Sequence, residues 1–392
     1  MLAIAAVCAS CGGSSHTSTT ANTVTTSGTN VQPITVNSGP AGNYANGVFT
    51  SVTVCIPSSS TCQTINSVLV DTGSYGLRLL SSAGGGALTL SLPQQKNGSG
   101  DSVGECAAFV SGYTWGSVVT ADISLSGEHA SSVPVQVIDP TFESVPSVCQ
   151  NGGVPENDTL ESLGANGILG VGPYLQDCGE ACEQSGAQNP GLYYSCTSST
   201  CQVTTEALAQ QVQNPVAMFA TDNNGVVIEL PSVSASAPSL SGSMVFGIGT
   251  ESNNALGGAT IFPLDSSGEF NTTYKGQSYG AFVDSGSNAI FFLDENLTGM
   301  AVCSDNAGFY CPASQTSESA TTASGGTSSS VNFNVDSADM LFANRVNFVF
   351  STLAGPNPGT FDWGLPFFFG RNVYTAIESR STPAGAGPYW AY

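Results

Sequence analysis

The sequence predicts an all-β protein made of two similar lobes that face each other across a cleft. Residues 68–74 and 281–287 are near copies, and each segment places an Asp on a tight turn after an apolar strand. The similarity continues beyond both turns at the same spacing of 213 residues (284 minus 71). Short Val- and Thr-rich runs between Gly, Ser and Asn turns indicate many strands, whereas helical periodicity is scarce.

Local patterns predict several individual elements. Residues 226–230 follow an Asn-Asn-Gly turn and are expected to form a strand. Thr205 is expected to cap a short helix over residues 206–213, which ends before Asn214-Pro215. The Ser/Thr-rich stretch 314–330 is expected to be a surface loop of the second lobe.

The two repeated turns indicate acid-base chemistry by a pair of carboxyl groups, because a pseudo-twofold axis would place Asp71 and Asp284 face to face. Carboxylates a few ångströms apart cannot both ionise cheaply, so the pair shares one proton and titrates as a unit. The ionised member can take a proton from water while the protonated member gives one to a carbonyl oxygen. The turn residues that would orient the acids with hydroxyls and backbone N–H groups are Thr72, Gly73, Ser74, Ser285, Gly286 and Ser287. Alternatively, each turn simply closes a hairpin.

On these motifs the chain resembles the bilobal aspartic peptidases of the pepsin-like family. That family carries an Asp-Thr/Ser-Gly turn in each lobe and a later apolar-apolar-Gly segment that threads under each acid. Residues 167–170 match this segment closely, residues 361–364 match it less well, and residues 241–247 resemble the strand that opens the second lobe. The resemblance covers about residues 45–380 and implies a double β-barrel. It also implies a monomer that hydrolyses peptides or proteins with Asp71 and Asp284, with neither cofactor nor metal.

The family also has a hairpin flap whose tyrosine closes over the substrate. Tyr113 is the flap candidate, because it follows the first acid within residues 112–118 and glycines flank it on both sides. The alternative is that Tyr113 and Trp115 are ordinary strand aromatics on a half-buried sheet.

Two residues depart from the family pattern near the first acid. Arg78 stands where the family usually has a tryptophan, and Tyr75 is bulkier than the small polar residue expected there. Arg78 is expected to be a solvated charge on the rim, or a cation that lowers the pKa of the acids or holds a substrate carboxylate. We therefore expect a cleft that differs from a general peptidase cleft around these two side chains.

Composition and net charge restrict the classes of binding partner and the pH range in which the protein is expected to work. The 392 residues carry a net charge of −22 with only six Lys and Arg, so binding to nucleic acid is not expected. When all carboxylates are neutral, the side chains carry only about +8, which limits self-repulsion in acid. With the shared-proton chemistry, this favours activity below about pH 5.

Twelve cysteines indicate an oxidising compartment. Cys55 with Cys62, and Cys303 with Cys311, are close enough in sequence to clip hairpins or loops, and Cys106 with Cys149 is a looser pairing. Four more cysteines form a dense insertion whose pairing the sequence leaves open. A zinc site there is a rival interpretation, but no histidine is near and the spacing is not that of a zinc ribbon. These four are Cys178, Cys182, Cys196 and Cys201.

The N-terminus resembles the end of a bacterial lipoprotein signal. Residues 1–11 are interpreted as a signal remnant with Cys11 as lipid acceptor, and a start codon placed too late would explain the missing basic residues. Residues 12–40 are expected to be a Ser/Thr-rich tether that is too polar to fold. The lobes are then expected at residues 41–230 and 231–392. This arrangement predicts an extracytoplasmic protein that is secreted or lipid-anchored at the cell envelope.

Other functions are weighed against the peptidase. A Ser-His or Cys-His site lacks a suitable histidine, since His16 lies in the tail and His129 in an expected turn. A peptide-binding or inhibitor protein on the same scaffold is the main alternative, because fold alone does not decide function. A third interpretation, a structural or adhesive protein of the cell surface, is supported only by the predicted tether. Retention of both acids, both hydroxyl neighbours and both glycines favours the peptidase.

Overall fold

The structure is a computed structural model that describes residues 22–150 and 153–392. The predicted signal remnant, Cys11 and the first part of the tether lie outside the described residues. Within those residues, strands dominate and the helices are single short turns. None of the helices in the described ranges is long and apolar enough to cross a membrane.

The first part of the chain builds a closed six-stranded barrel. Strand β2 pairs with β3 and also with β6, and the order β2-β3-β8-β4-β7-β6 returns to its start. Inside it, alternate residues of β2 such as Val52 and Val54 are fully buried, as expected for half-buried strands. The strands are β1 (Val31–Asn37), β2 (Gly47–Cys55), β3 (Cys62–Asp71), β4 (Tyr75–Leu80), β5 (Ser102–Phe109), β6 (Gly112–Leu125), β7 (Glu128–Ile138), β8 (Gly167–Val171), β9 (Tyr193–Cys196) and β10 (Cys201–Val203).

The second part of the chain builds a seven-stranded sheet with the order β19-β18-β15-β16-β22-β17-β21. The strands of this part of the chain are β11 (Gly225–Leu230), β12 (Ser236–Ala237), β13 (Leu240–Phe246), β14 (Ile261–Pro263), β15 (Phe270–Tyr274), β16 (Gln277–Val283), β17 (Ile290–Leu293), β18 (Thr316–Ser324), β19 (Thr327–Val335), β20 (Val349–Phe350), β21 (Ala354–Gly355), β22 (Asn357–Trp363), β23 (Arg371–Ala376), β24 (Ser381–Thr382), β25 (Gly385–Ala386) and β26 (Tyr389–Ala391). Strands β12 and β20 pair with each other, as do β24 and β25, in two small separate sheets. The α-helices are α1 (Leu160–Leu163), α2 (Glu295–Thr298) and α3 (Ala338–Ala343).

The two lobes repeat one unusual arrangement of parallel strands. In the first lobe, β8 lies between β3, to which it is parallel, and β4, to which it is antiparallel. In the second lobe, β22 lies in the same way between β16 and β17. Each acid turn joins the two outer strands of its triplet, so the predicted strand-turn-strand repeat is present as two equivalent structural units.

A third set of strands joins the lobes. Strand β13 pairs with both β1 and β11, and β11 also pairs with β23, which pairs with β26. This sheet takes strands from both sides of the predicted division between residues 230 and 231. One buried apolar core extends through it from Ile34 in the first part of the chain to Trp390 near its end. The molecule is therefore an all-β protein of two lobes on a shared sheet.

The tether is shorter than predicted. Residues 31–37 form β1, which pairs with β2 and β13, so the expectation of an unfolded tether up to residue 40 is wrong for this segment. The physical reason is burial of apolar side chains, because Val31, Ile34 and Val36 are buried between the neighbouring strands while Pro33 is exposed and Thr35 is half-buried. The surrounding Ser and Thr composition hides this short pattern in the sequence.

Two other local predictions are corrected. The stretch 314–330 is not an irregular loop but most of the hairpin β18–β19, whose strands pair over their whole length. Gly325 and Gly326 turn the chain between them with φ of +58° and +82°, as a two-residue hairpin turn requires. The helix predicted over residues 206–213 is only one 3₁₀ turn at Leu208–Gln210, because the chain around it is extended.

Five disulfides clip the fold. The three pairs suggested by the sequence are bonded, and the four cysteines of the insertion pair with their nearest neighbours as Cys178–Cys182 and Cys196–Cys201. These four sulfurs are therefore not thiolates, and the rival zinc interpretation of the insertion is wrong. Disulfides form and persist in oxidising environments, so the five pairs indicate an extracytoplasmic protein.

Candidate active site

The two repeated turns meet between the lobes and bring Asp71 and Asp284 together. Asp71 is the last residue of β3, and Asp284 directly follows β16. Asp71 is 6% exposed. Burial, the charge of Asp284 and a hydrogen bond between the two carboxyl groups raise the pKa of Asp71 well above its usual range. The structure therefore brings together the two acids that the sequence names.

The residues after each acid lock the two turns to one another. The Thr72 N–H donates to Oγ of Ser285 over 3.1 Å, and the Ser285 N–H donates to Oγ1 of Thr72 over 2.9 Å. Each hydroxyl then donates across the interface, from Thr72 to the carbonyl of Val283 at 3.2 Å and from Ser285 to the carbonyl of Val70 at 2.7 Å. Both side chains are fully buried. This twofold set of four bonds fixes the distance between the lobes at the acids.

Two donors within each turn orient its own acid. The Gly73 N–H donates to Oδ1 of Asp71 over 2.8 Å, and the Gly286 N–H donates to Oδ1 of Asp284 over 2.7 Å. The Ser74 and Ser287 hydroxyls donate to the Oδ2 atoms of the same acids over 2.5 and 2.8 Å. A Cβ on Gly73 would lie 2.7 Å from Cγ of Asp284, so only glycine allows this approach. The six turn residues named from the sequence all contact the acid pair or support it.

Two tyrosines lie beside the acids. Tyr75 packs edge-on against Tyr174 with ring centroids 5.3 Å apart. Its pKa is raised by burial first, then by the charges of Tyr174, Asp71, Glu378 and Asp284. Tyr44 has a raised pKa for related reasons, namely burial and the charges of Asp71 and Asp284. The sequence points to Tyr75 but gives no signal for Tyr44, whose ring packs edge-on against Phe49 with centroids 5.6 Å apart.

Arg78 is neither a rim charge nor a free cation near the acids. It is 2% exposed and pairs with the carboxylates of Glu105 at 2.5 Å and Asp177 at 3.0 Å. Burial lowers the pKa of Arg78, but the two carboxylates outweigh that effect and the net shift is upward. Its guanidinium also donates to the carbonyl of Tyr75 over 2.8 Å and lies 5.8 Å from the ring centroid of Phe109. The predicted roles on the rim and toward a substrate carboxylate are therefore wrong, and Arg78 instead supports the chain behind Tyr75.

The predicted flap hairpin exists, but Tyr113 does not face the acids. Strands β5 and β6 form the hairpin, and Val110 at its tip is fully exposed. Tyr113 is 3% exposed and packs with Trp115 around the Cys106–Cys149 disulfide. Its hydroxyl donates to Oε2 of Glu156 over 3.1 Å. Because residues two apart on a strand share a face, Tyr113 and Trp115 are both strand aromatics, which was the alternative interpretation.

A third carboxyl group adjoins the pair and was not predicted. Asp362 in β22 contacts Ser287, whose hydroxyl also contacts Asp284. The sequence motif Phe361-Asp362-Trp363-Gly364 points to the strand under the acid but not to a role for its charged residue. The direction of this side chain becomes visible only when β22 is placed in the sheet.

The arrangement can hold a water between two acids of unequal protonation. One carboxylate can accept a proton from that water while the other acid donates to a carbonyl oxygen, which is the acid-base division needed for amide hydrolysis. One group of three potential metal ligands occurs in the described residues, at Cys303, Cys311 and Asp339. Its two sulfurs form a disulfide, so they are not available as thiolate ligands.

Comparisons with known proteins agree with this architecture. A protein-family model described as "Protein of unknown function (DUF3443)" matches residues 26–392. No curated protein matches the chain. Among solved structures, an aspartic proteinase from Irpex lacteus is similar with a TM-score of 0.52 at 17% identity. The alignment covers 92% of this chain and 96% of that one, so the shared feature is the pepsin-like bilobal fold as a whole.

Proposed function

The chain belongs to the DUF3443 family, whose description states no activity, and we propose from the site itself that it is an aspartic endopeptidase. The observation that carries this proposal is that two equivalent turns set Asp71 and Asp284 against one another, since a Cβ on Gly73 would lie 2.7 Å from Cγ of Asp284 and a Cβ on Gly286 would lie 2.6 Å from Oδ1 of Asp71. The likeness to an aspartic proteinase supports the fold in which such a pair would work.

In the proposed reaction, the acid pair holds one proton and one negative charge. The ionised carboxylate takes a proton from a bound water while the oxygen of that water attacks the peptide carbonyl carbon. The protonated acid gives its proton to the carbonyl oxygen, and a tetrahedral diol forms. The acid that took the water proton then gives it to the peptide nitrogen, the other carboxylate takes a hydroxyl proton from the diol, and the C–N bond breaks, which returns the pair to its starting protonation. Thr72 and Ser285 keep the two acids at a fixed separation throughout, because each side-chain hydroxyl is bonded to the backbone of the opposite lobe.

Peptide or protein chains are the proposed substrates, and acidic conditions are the proposed setting. The raised pKa of Asp71 keeps a proton on the pair above the range of an ordinary Asp, and that proton is lost as pH rises. We expect cleavage below about pH 5 and its decline toward neutrality. The proposed location is outside the cytoplasm, either free or lipid-anchored, and the proposed working form is a monomer.

Digestion of casein and of a peptide library at several pH values tests this proposal. Asp71→Asn and Asp284→Asn should each lower the cleavage rate by at least about a hundredfold, because each removes one half of the proton exchange. Asp305→Asn is the matched control, since Asp305 is exposed and its substitution changes the net charge by the same amount. Cleavage that survives in both site variants would contradict the proposal.

The second candidate function is a peptide-binding or inhibitor protein on the same scaffold. The observation that favours it is Tyr113, which is tied to Glu156 where the related peptidases are expected to have a closing tyrosine. A chain that binds library peptides in acid without cleaving them would support this candidate over the peptidase.

A further inference from the structure

A third carboxyl group lies directly behind the acid pair. Asp362 is 6% exposed, and its Oδ2 lies 2.6 Å from Oγ of Ser287. The same Oγ lies 2.8 Å from Oδ2 of Asp284. Asp362, Ser287 and Asp284 therefore form one hydrogen-bonded row that ends at the proposed reaction centre.

The first lobe has no counterpart to this carboxyl group. Asp362 lies opposite Phe282 in the parallel pairing of β16 with β22. At the equivalent place in the first lobe, 213 residues before Phe282 (282 minus 69), Leu69 lies opposite Ile168. Because an apolar residue serves the same strand position there, the strand-turn-strand unit itself does not require an acid. The asymmetry adds a titratable group behind Asp284 alone.

Counting hydrogens places a proton on Asp362. Ser287 has one hydroxyl hydrogen, yet its Oγ makes two contacts of hydrogen-bond length with carboxyl oxygens. One of the two acids must therefore supply the second hydrogen. If Asp284 supplied it, Asp362 would be a buried carboxylate whose Oδ1 has no hydrogen-bond partner. Such a charge is costly without partners, so the hydrogen belongs on Asp362.

The surroundings of Asp362 oppose its ionisation from every side. The strands beside it present Phe282 and Phe291, and the charged groups that face it are Asp284 and Asp71, both acids. The two ion pairs between described residues both belong to Arg78 and leave Asp362 without a cation. Burial, followed by the charge of Asp284, raises the pKa of Asp362 well above its usual range, although the bond with Ser287 acts in the opposite direction.

We propose that Asp362 is a positioning residue, a third acid whose proton commits the Ser287 hydrogen to Asp284 and so, together with the proton of the acid pair, sets the upper pH limit of the reaction. While Asp362 is protonated, it donates to Ser287, and Ser287 donates to Asp284. When Asp362 loses its proton to solvent, the single Ser287 hydrogen turns toward the new carboxylate. Asp284 then loses an orienting donor and gains a like charge nearby. This inference rests on the proposed peptidase function.

Two substitutions distinguish the effect of the Asp362 proton from the effect of the size and shape of its side chain. In Asp362→Asn the amide N–H can still donate to Ser287 but cannot ionise, so the alkaline fall of kcat/KM should move to higher pH. At a pH where the wild type has lost about tenfold, this variant should have lost less than about threefold relative to its own maximum. Asp362→Ile copies Ile168 and can neither donate nor ionise, so its kcat should fall about tenfold with KM little changed. Wild-type pH profiles in both variants would overturn the proposal, and Asp362→Asn alone decides if Asp362→Ile does not fold.

An infrared measurement tests the same proton without any substrate. At about pH 5, where an ordinary Asp is largely ionised, the difference spectrum between wild type and Asp362→Asn should contain the C=O stretch of one protonated carboxylic acid. Absence of that band overturns the proposal. A wild-type protein that cleaves nothing would contradict the peptidase function, whereas the infrared band still reports on Asp362, so the two failures are distinguishable.

Discussion

The hydroxyl groups of Thr72 and Ser285 are the smallest parts of the site that act on both lobes. Each hydroxyl accepts a hydrogen bond from the backbone N–H of the opposite turn. It also donates to a carbonyl in the strand that leads into that turn, from Thr72 to Val283 and from Ser285 to Val70. Both hydroxyls are buried, so no water can replace them. Their loss would leave backbone groups unpaired directly beneath the acid pair.

Substitution of Thr72 by valine tests this cross-lobe contact. Thr72→Val keeps the shape of the side chain but leaves the Ser285 N–H and the Val283 carbonyl without a hydrogen-bond partner. The free energy of unfolding should therefore fall by about 2–4 kcal/mol. Thr72→Ser keeps the hydroxyl and should lose about 1 kcal/mol or less. Urea unfolding measures both. Equal stability of the two variants would show that the hydroxyl is not the stabilising group.

Single residues of the site differ in how far the sequence reveals them. Asp71 and Asp284 are predictable because the turn chemistry is written within a few neighbouring residues and occurs twice. The buried state of Arg78 is not predictable, because its partners Glu105 and Asp177 come from distant strands and loops. Tyr44 is missed for the same reason, since its nearness to the acids depends on tertiary contacts.

At the scale of elements, the β5–β6 hairpin is anchored at several points behind its exposed tip. The Cys106–Cys149 disulfide ties β5 to the following loop, and the Tyr113 N–H donates to the carbonyl of Pro155 over 3.0 Å. The Asn157 N–H donates back to the carbonyl of Tyr113 over 2.7 Å. Val110 at the tip lies beyond these contacts and is fully exposed.

Removal of the anchoring disulfide should cost more than removal of a local one. The Cys106–Cys149 bond closes a sequence separation of 43, and the Cys55–Cys62 bond closes one of 7. Loop-closure entropy therefore predicts that the Cys106→Ser/Cys149→Ser variant loses about 1.5 kcal/mol more than the Cys55→Ser/Cys62→Ser variant. Denaturant unfolding of the two double variants makes the comparison. A larger loss for Cys55→Ser/Cys62→Ser would contradict this account of the anchor.

Elements are predictable from the sequence where their pattern is local and strong. The two acid turns and the strand β11 are found in this way, because apolar runs end in clear turn signals. Strand β1 is missed because the Ser/Thr-rich stretch before it hides its apolar residues, and the β18–β19 hairpin is missed because Ser and Thr fill many of its paired positions. Pairing with other strands makes these segments extended, whereas their composition alone suggests a tether or a loop.

At the scale of the whole molecule, buried acids dominate the response to pH. Burial is the first cause of a raised pKa for Asp71, Asp177, Asp362 and Glu206, and the pKa of Glu206 rises to about 7. An acid whose pKa is raised by folding binds its proton more tightly in the folded state. Its contribution to stability is complete below the unfolded pKa of about 4 and is lost as pH rises through the folded value.

The free energy of unfolding should therefore fall between about pH 4.5 and pH 7.5. The net charge of −22 at neutral pH adds self-repulsion in the same direction. Glu206→Gln cannot ionise and should recover about 1–3 kcal/mol of this loss, because Glu206 is 4% exposed and its pKa lies within the window. Thermal and urea unfolding at the two ends of the range measure the effect. A stability that rises toward neutral pH would contradict it.

The shared proton of Asp71 and Asp284 is the claim on which the proposed function depends, and a difference titration tests it most directly. The measurement compares the number of protons bound by wild type and by Asp71→Asn as pH changes. A proton shared within the pair predicts that wild type holds about one extra proton near pH 5 and that this difference shrinks in stronger acid. A difference near zero at pH 5 that grows to about one proton near pH 3 would mean that the two acids titrate independently, and it would contradict the account.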